Sequence, residues 1–183
     1  MDDDVRECIL AVAGLSQSVR TVVALGPELD YADWAPVDAA RFPTLRAPAA
    51  AVAEIARVAR HVESICEAGL DVLVTGHADG AVVAAYAAAC ARASLAHKER
   101  AAGVRCVVFG LRLSVDAAAL GALSVVGSHD APCMAACEHT ESVWWLGPRD
   151  VRHYVYRGLA LLGIAASSRR MDVDEYAEAM LAL

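Results

Sequence analysis

Residues 71–84 read Asp-Val-Leu-Val-Thr-Gly-His-Ala-Asp-Gly-Ala-Val-Val-Ala, and no other stretch constrains the fold as tightly. The apolar run at 72–75 has the length of a strand, and the alanine-rich run from about Gly80 to Ala96 has the length of a helix. Gly76 to Gly80 is then the turn between them. A chain that passes from strand to helix so abruptly is strained at its apex, and neighbouring backbone comes close on both sides. Glycines fit such flanks because a Cβ does not. The apex is Ala78, with His77 before it and Asp79 after it. A methyl group there can neither attack a carbonyl nor carry a proton.

The rest of the pattern alternates. Cys8 to Ala13 and Thr21 to Leu25 are β-rich runs, and residues 26–48, with Pro27, Pro36, Pro43 and Pro48, are expected to be irregular. Val52, Ile55, Val58, Ala59, Val62 and Ile65 recur at helical spacing and predict a helix over 49–68 that ends at Gly69. Strands are expected at Val104 to Phe109, Ala122 to Val126 and Ser142 to Leu146. Helices are expected at 149–166 and 172–182, the second with Asp174 and Glu175 in its first turn, favourable for the helix dipole. Strands alternating with helices imply βαβ units and a mainly parallel sheet. The fold class is therefore α/β, with one compact domain over 1–183 and no separate lid. In such sheets ligands gather at the carboxyl ends of the strands. The turn at 76–80, Gly110 to Arg112, and Ser128 to Asp130 all belong to that edge.

Composition excludes several function classes. The chain has 183 residues and a formal net charge of −7, which argues against a nucleic-acid partner. Much of its 57% hydrophobic content is alanine, and no uninterrupted run reaches the length of a membrane span. Asp2, Asp3 and Asp4 are the opposite of a basic signal-peptide start, so the expected location is cytoplasmic or nuclear. The cysteines at 8, 66, 90, 106, 133 and 137 lie mostly in apolar segments and fit a reducing compartment. His129, Cys133, Cys137 and His139 form the one metal-like cluster. Their Cys-x3-Cys-x-His spacing lacks the second, well-separated pair of a structural zinc site, so no metal and no cofactor are expected.

The run Val72-Leu-Val-Thr-Gly-His-Ala-Asp-Gly-Ala resembles the class 3 lipases of the fungal triglyceride-lipase type. That family carries strand, Gly-His-Ser-Leu-Gly-Gly-Ala, helix. Val104-Arg-Cys-Val-Val-Phe-Gly-Leu-Arg is similar to the family's next strand, and the helix at 49–68 precedes the motif as it does there. Val125-Val-Gly-Ser-His-Asp-Ala-Pro resembles the strand that bears the triad aspartate, and Asp150-Val-Arg-His-Tyr the segment that bears the triad histidine. His139-Thr-Glu-Ser-Val-Trp-Trp resembles a non-catalytic segment between them. The likeness covers roughly 49–157.

That resemblance implies an α/β-hydrolase-like fold with a nucleophile elbow at Gly76, His77 and Gly80, the last two residues of the triad at Asp130 and His153, and His77 packed beneath the elbow. It further implies that the Asp79 backbone N–H faces an oxyanion hole. The segment completing the hole maps onto Val12-Ala13-Gly14-Leu15-Ser16, which gives Leu15 and Ser16. Here the sequence departs from the family. Ala78 occupies the nucleophile position, Asp79 stands for Leu, Ala81 for Gly, and the Arg of the oxyanion segment is missing. Asp79 as a nucleophile would point away from the reacting position, so a helix N-cap or first-turn carboxylate is the expected role.

Two function classes follow. One is a lipase-like pseudoenzyme that binds a protein partner or a small apolar or acyl ligand. The other is an active serine esterase or lipase, acting on carboxylic esters or acylglycerols, here in a form with alanine in place of serine at 78. A third reading is an unrelated α/β binding module that carries the same turn by chance.

Overall fold

In a computed structural model of the chain, the residues described are 19–26, 28–30, 32–38, 40–98, 100–111, 120–127 and 143–146, with 174, 175, 178 and 179 near the C-terminus. The elements in chain order are β1 (Val19–Ala24), β2 (Trp34–Asp38), β3 (Phe42–Pro48), α1 (Val52–Glu67), β4 (Asp71–His77), α2 (Asp79–Leu95), β5 (Val104–Phe109), β6 (Leu123–Gly127) and β7 (Val143–Leu146). The protein is α/β, with a parallel central sheet flanked by helices. The sheet runs β1-β4-β5-β6-β7, and each neighbouring pair is parallel. Parallel neighbours need a long crossover, which α1 provides between β1 and β4 and α2 between β4 and β5.

The two faces of the sheet are sorted by strand alternation. Val72 and Val74 of β4, with Val104, Cys106 and Val108 of β5, join the core under α1 and α2. Leu73, Val107 and Val125 point the other way, into a smaller cluster that includes Ala179 from the C-terminal segment. α1 is amphipathic and buries Ile55, Val58, Ala59, Val62 and Cys66. α2 is different, being buried from Gly80 through Ala88 and again at Cys90, Ala91 and Leu95. It lies between the sheet and α1, so almost every side is interior, and alanine is the side chain that allows such close approach.

The predicted α1 end is confirmed in detail. Gly69 donates to Cys66 O at 3.0 Å and Leu70 to Ile65 O at 3.4 Å, the double bond of a Schellman cap, with Gly69 at φ 89°. The strand expected at 104–109 is β5 to the residue, that at 122–126 is displaced by one residue, and that at 142–146 is β7 over Val143–Leu146.

Residues 26–48 correct the expectation of irregular structure. β2 and β3 form an antiparallel hairpin in which Trp34 faces Pro48 and Ala35 faces Ala47. The prolines mislead because of where they sit. The register breaks between Pro36 and Asp38, and Pro48 ends its strand, so both occupy positions that tolerate a missing N–H. The tip is closed by Asp38, whose Oδ1 accepts the N–H groups of Ala40 at 3.0 Å and Arg41 at 3.1 Å. The strand expected at Cys8 to Ala13 and the helix at 149–166 lie outside the described residues. Of the helix expected at 172–182, the four described positions are helical.

Arg92 fastens the far end of α2. Its Nη1 donates to Val104 O at 3.1 Å and its Nη2 to Leu120 O, joining the helix to the start of β5 and to the turn before β6. Burial lowers its pKa from the usual value, which reflects how far this guanidinium has left water. Arg92→Ala leaves both carbonyls without that donor and should cost about 2–3 kcal/mol, measured as a lower urea midpoint at unchanged slope.

Candidate functional site

β4 ends at His77, and the chain turns at Ala78 with φ 51° and ψ −116° before α2 begins at Asp79. Ala78 is the one non-glycine residue with positive φ among the described residues. An L-residue held in so sparsely populated a region carries about 1–3 kcal/mol of strain, and it persists only where the surroundings dictate it. The dictating contacts are all backbone. The Ala78 N–H donates to Phe109 O at the end of β5, 3.0 Å away, and the Ala81 N–H returns to Ala78 O at 3.1 Å.

The glycines explain how the turn fits. A Cβ on Gly76 would collide with the carbonyl of Gly80, across the turn. A Cβ on Gly80 would lie 2.5 Å from Ala24 O at the end of β1, and one on Gly26 would lie 2.5 Å from the Asp79 carbonyl carbon. Three segments therefore meet backbone to backbone: the end of β1, the end of β4 and the first turn of α2. The register agrees, since Ala24 lies beside Gly76 and His77 beside Phe109. His77 is half-buried at this strand end.

Asp79 is the first residue of α2, in the helix's first turn, while the N-cap position is Ala78 itself. Of the two expected roles, the first-turn carboxylate is the one observed. The carboxylate also has a longer reach: Oδ2 accepts the backbone N–H of Leu29 at 3.2 Å, fifty positions earlier in the chain. The loop leaving β1 is thus tied to the turn twice, by backbone packing at Gly26 and by this hydrogen bond. That loop carries no sequence signal of its own. Its importance appears only once β1 is placed beside β4. Val23 and Leu25 at the end of β1 are 63% and 76% exposed, so the edge beside the turn has an apolar rim.

Gly110 follows β5 on this same carboxyl edge, with its N–H donated to Val125 O at 3.0 Å, and β6 ends there at Gly127. Arg112, the triad candidates Asp130 and His153, the oxyanion candidates Leu15 and Ser16, and the cluster of His129, Cys133, Cys137 and His139 lie outside the described residues. Among the described residues no group of three or more His, Cys, Asp or Glu side chains could hold a metal. Cys66, Cys90 and Cys106 are buried thiols that form no disulfide. Burial pushes the Cys90 thiol up to about 11 and raises Cys66 as well, so neither is a nucleophile at neutral pH. A groove of about 330 Å³ at Arg41, Phe42, Ala93, Ser94 and His97 sits by the hairpin tip and the far end of α2, away from the turn.

No protein-family model matches the chain, and no curated protein matches it. The functional reading therefore rests on the residues and their geometry.

The turn makes a paired prediction. Gly76→Ala forces apart two backbone segments that have no side chain to yield, and should cost about 2–4 kcal/mol. Ala78→Gly acts oppositely, relieving positive-φ strain at a smaller entropic cost, and should raise stability by about 1 kcal/mol. Urea or thermal unfolding of the two variants checks both signs.

Proposed function

We propose that the chain is a single lipase-like domain of the α/β-hydrolase type that no longer catalyses ester hydrolysis. It acts instead by binding a protein partner or a small apolar or acyl ligand at the carboxyl edge of its sheet. The observation that carries this reading is the backbone at Ala78. A strand-to-helix turn with a strained, glycine-flanked apex is the device that hydrolases of this type use to expose a nucleophile, and here the same device presents a methyl group.

The loop after β1 gives further support. An oxyanion hole of this type draws one N–H from the residue after the apex and another from the loop following the neighbouring strand. That loop here runs Leu25-Gly26-Pro27-Glu28-Leu29. Proline has no N–H to give, and the Leu29 N–H is engaged by Asp79. The apolar rim of Val23 and Leu25 favours an uncharged or acyl occupant. A reducing compartment, cytoplasmic or nuclear, belongs to the same proposal and is supported by the buried thiols. No described helix is long and apolar enough to cross a membrane.

The second reading, an active esterase in a serine-to-alanine form, draws on the same turn, because its strain is fully kept. The two readings part on restoring the hydroxyl. The chain as it stands should show no saturable hydrolysis of short-chain p-nitrophenyl esters. Ala78→Ser should remain folded yet react slowly with a fluorophosphonate probe, since even one missing oxyanion donor costs on the order of 100- to 1000-fold in rate. Rapid stoichiometric labelling of that serine, with turnover in the ordinary enzyme range, would establish the esterase instead.

A further inference from the structure

The hairpin of β2 and β3 is a two-stranded sheet separate from the five-stranded one, and its two ends are held in different ways. The base is anchored by burial and backbone. Val37 and Ala47 join the core, Trp34 and Leu45 pack against it, and the Ala49 N–H donates to Asp33 O at 2.9 Å. The tip is a small unit of its own, because Asp38 caps the Ala40 and Arg41 N–H groups, and the ladder behind it breaks between Pro36 and Asp38. Among the described residues, the polar contacts from this unit to the helices are those of Arg41. Its Nη1 donates to Ser94 Oγ of α2 at 3.0 Å and lies 3.9 Å from Glu63 Oε1 of α1. The Arg41 side chain is 60% exposed, and contacts of that kind hold weakly. Phe42 adds a partly buried ring. The groove between Arg41, Phe42 and the α2 residues Ala93 and Ser94 shows that the tip does not fill the space against the helix.

Cys90 lies one turn before Ser94 on the same face of α2 and is 5% exposed. Burial pushes its thiol up to about 11, and the charges of Asp38 and Glu63 add to the rise, which puts this thiol close to the hairpin tip and α1. We propose that the hairpin tip is a flap over the Cys90 face of α2, hinged at the register break and latched by Arg41, and that it opens while the rest of the domain stays folded. Openings of this kind occur where few apolar contacts hold a segment. Opening uncovers α2 from Cys90 to Ser94 and joins that face to the groove. The flap does not depend on the lipase-like reading of the turn, which lies at the other end of α2.

Cys90 itself reports the opening. Under the closed flap its thiol is buried and protonated, and once uncovered it meets water and reacts. The whole chain is treated with iodoacetamide at mildly alkaline pH over a series of low urea concentrations, and Cys90 and Cys106 are followed separately by peptide mass spectrometry. Cys106 is a core thiol of β5 and waits on wide unfolding. Its rate should climb steeply with urea, because that unfolding exposes much surface. The Cys90 rate should be faster and nearly flat in urea, since the flap exposes little.

Arg41→Ala removes the latch and should speed Cys90 on the order of three- to tenfold, still flat in urea. Loss of the Arg41 charge alone would act in the opposite direction, because that charge lowers the Cys90 pKa and so favours the reactive thiolate. Should Arg41→Ala fail to fold, Ser94→Ala removes the acceptor, keeps the charge, and should speed Cys90 in the same way. A Cys90 rate that rises with urea as steeply as that of Cys106, or one that the latch variant leaves unchanged, overturns the proposal. Fast fluorophosphonate labelling of Ala78→Ser would defeat the pseudoenzyme reading and leave these rates as they are, so the two failures are distinct.

Discussion

The described structure depends on a contact in which no side chain takes part. The end of β1, the end of β4 and the start of α2 approach so closely that the positions facing one another must be glycine, and Gly26, Gly76 and Gly80 are. Backbone packed against backbone has little room to relax. It fixes the distance of α2 from the sheet, the register of β1 on β4, and the path of the chain leaving β1. The strain at Ala78 follows from that fixed geometry. It is not a local preference of alanine.

The composition of α2 follows from the same constraint. A helix whose first turn is locked against the sheet must run over β4 and β5 at close range, and large side chains on that face would lever it away. The row of buried alanines from Ala81 to Ala88, interrupted by Val82, Val83 and Tyr86, supplies a thin surface. α1 then adds the bulk that α2 lacks, through Ile55, Val58 and Val62. The alanine content that colours the whole sequence is therefore, over this helix, a packing requirement.

What was legible in the sequence was the part whose cause is local. The period of apolar residues marked α1, its cap at Gly69, and the strands β4 and β5, because each depends on neighbours within a few positions. The turn itself was legible as a glycine spacing. Two features were not. The hairpin was hidden by prolines that occupy a register break and a strand end. The Asp79–Leu29 bond joins residues fifty apart, and nothing near either one announces the other. Pairing of β1 with β4 had to be seen before the loop at 25–29 came beside the turn, while Gly14, Leu15 and Ser16, to which the resemblance pointed, lie outside the described residues.

The strained apex does not by itself separate a working hydrolase from a retired one. Serine and alanine both carry a Cβ, so both bear nearly the same penalty at φ 51°. Against a typical stability of about 5–15 kcal/mol, that penalty is large enough to be lost if nothing enforced it. The glycine interlock enforces it whatever the apex residue is, so the turn keeps its shape with alanine at 78. What separates the two must lie in groups outside the interlock. Pro27 and Asp79 are such groups, since neither is one of the three interlocked glycines. Both act in one direction: one removes a donor from the loop, and the other occupies a donor and adds negative charge. Under the proposed lipase-like reading both positions work against a developing oxyanion, as a site used for binding alone permits.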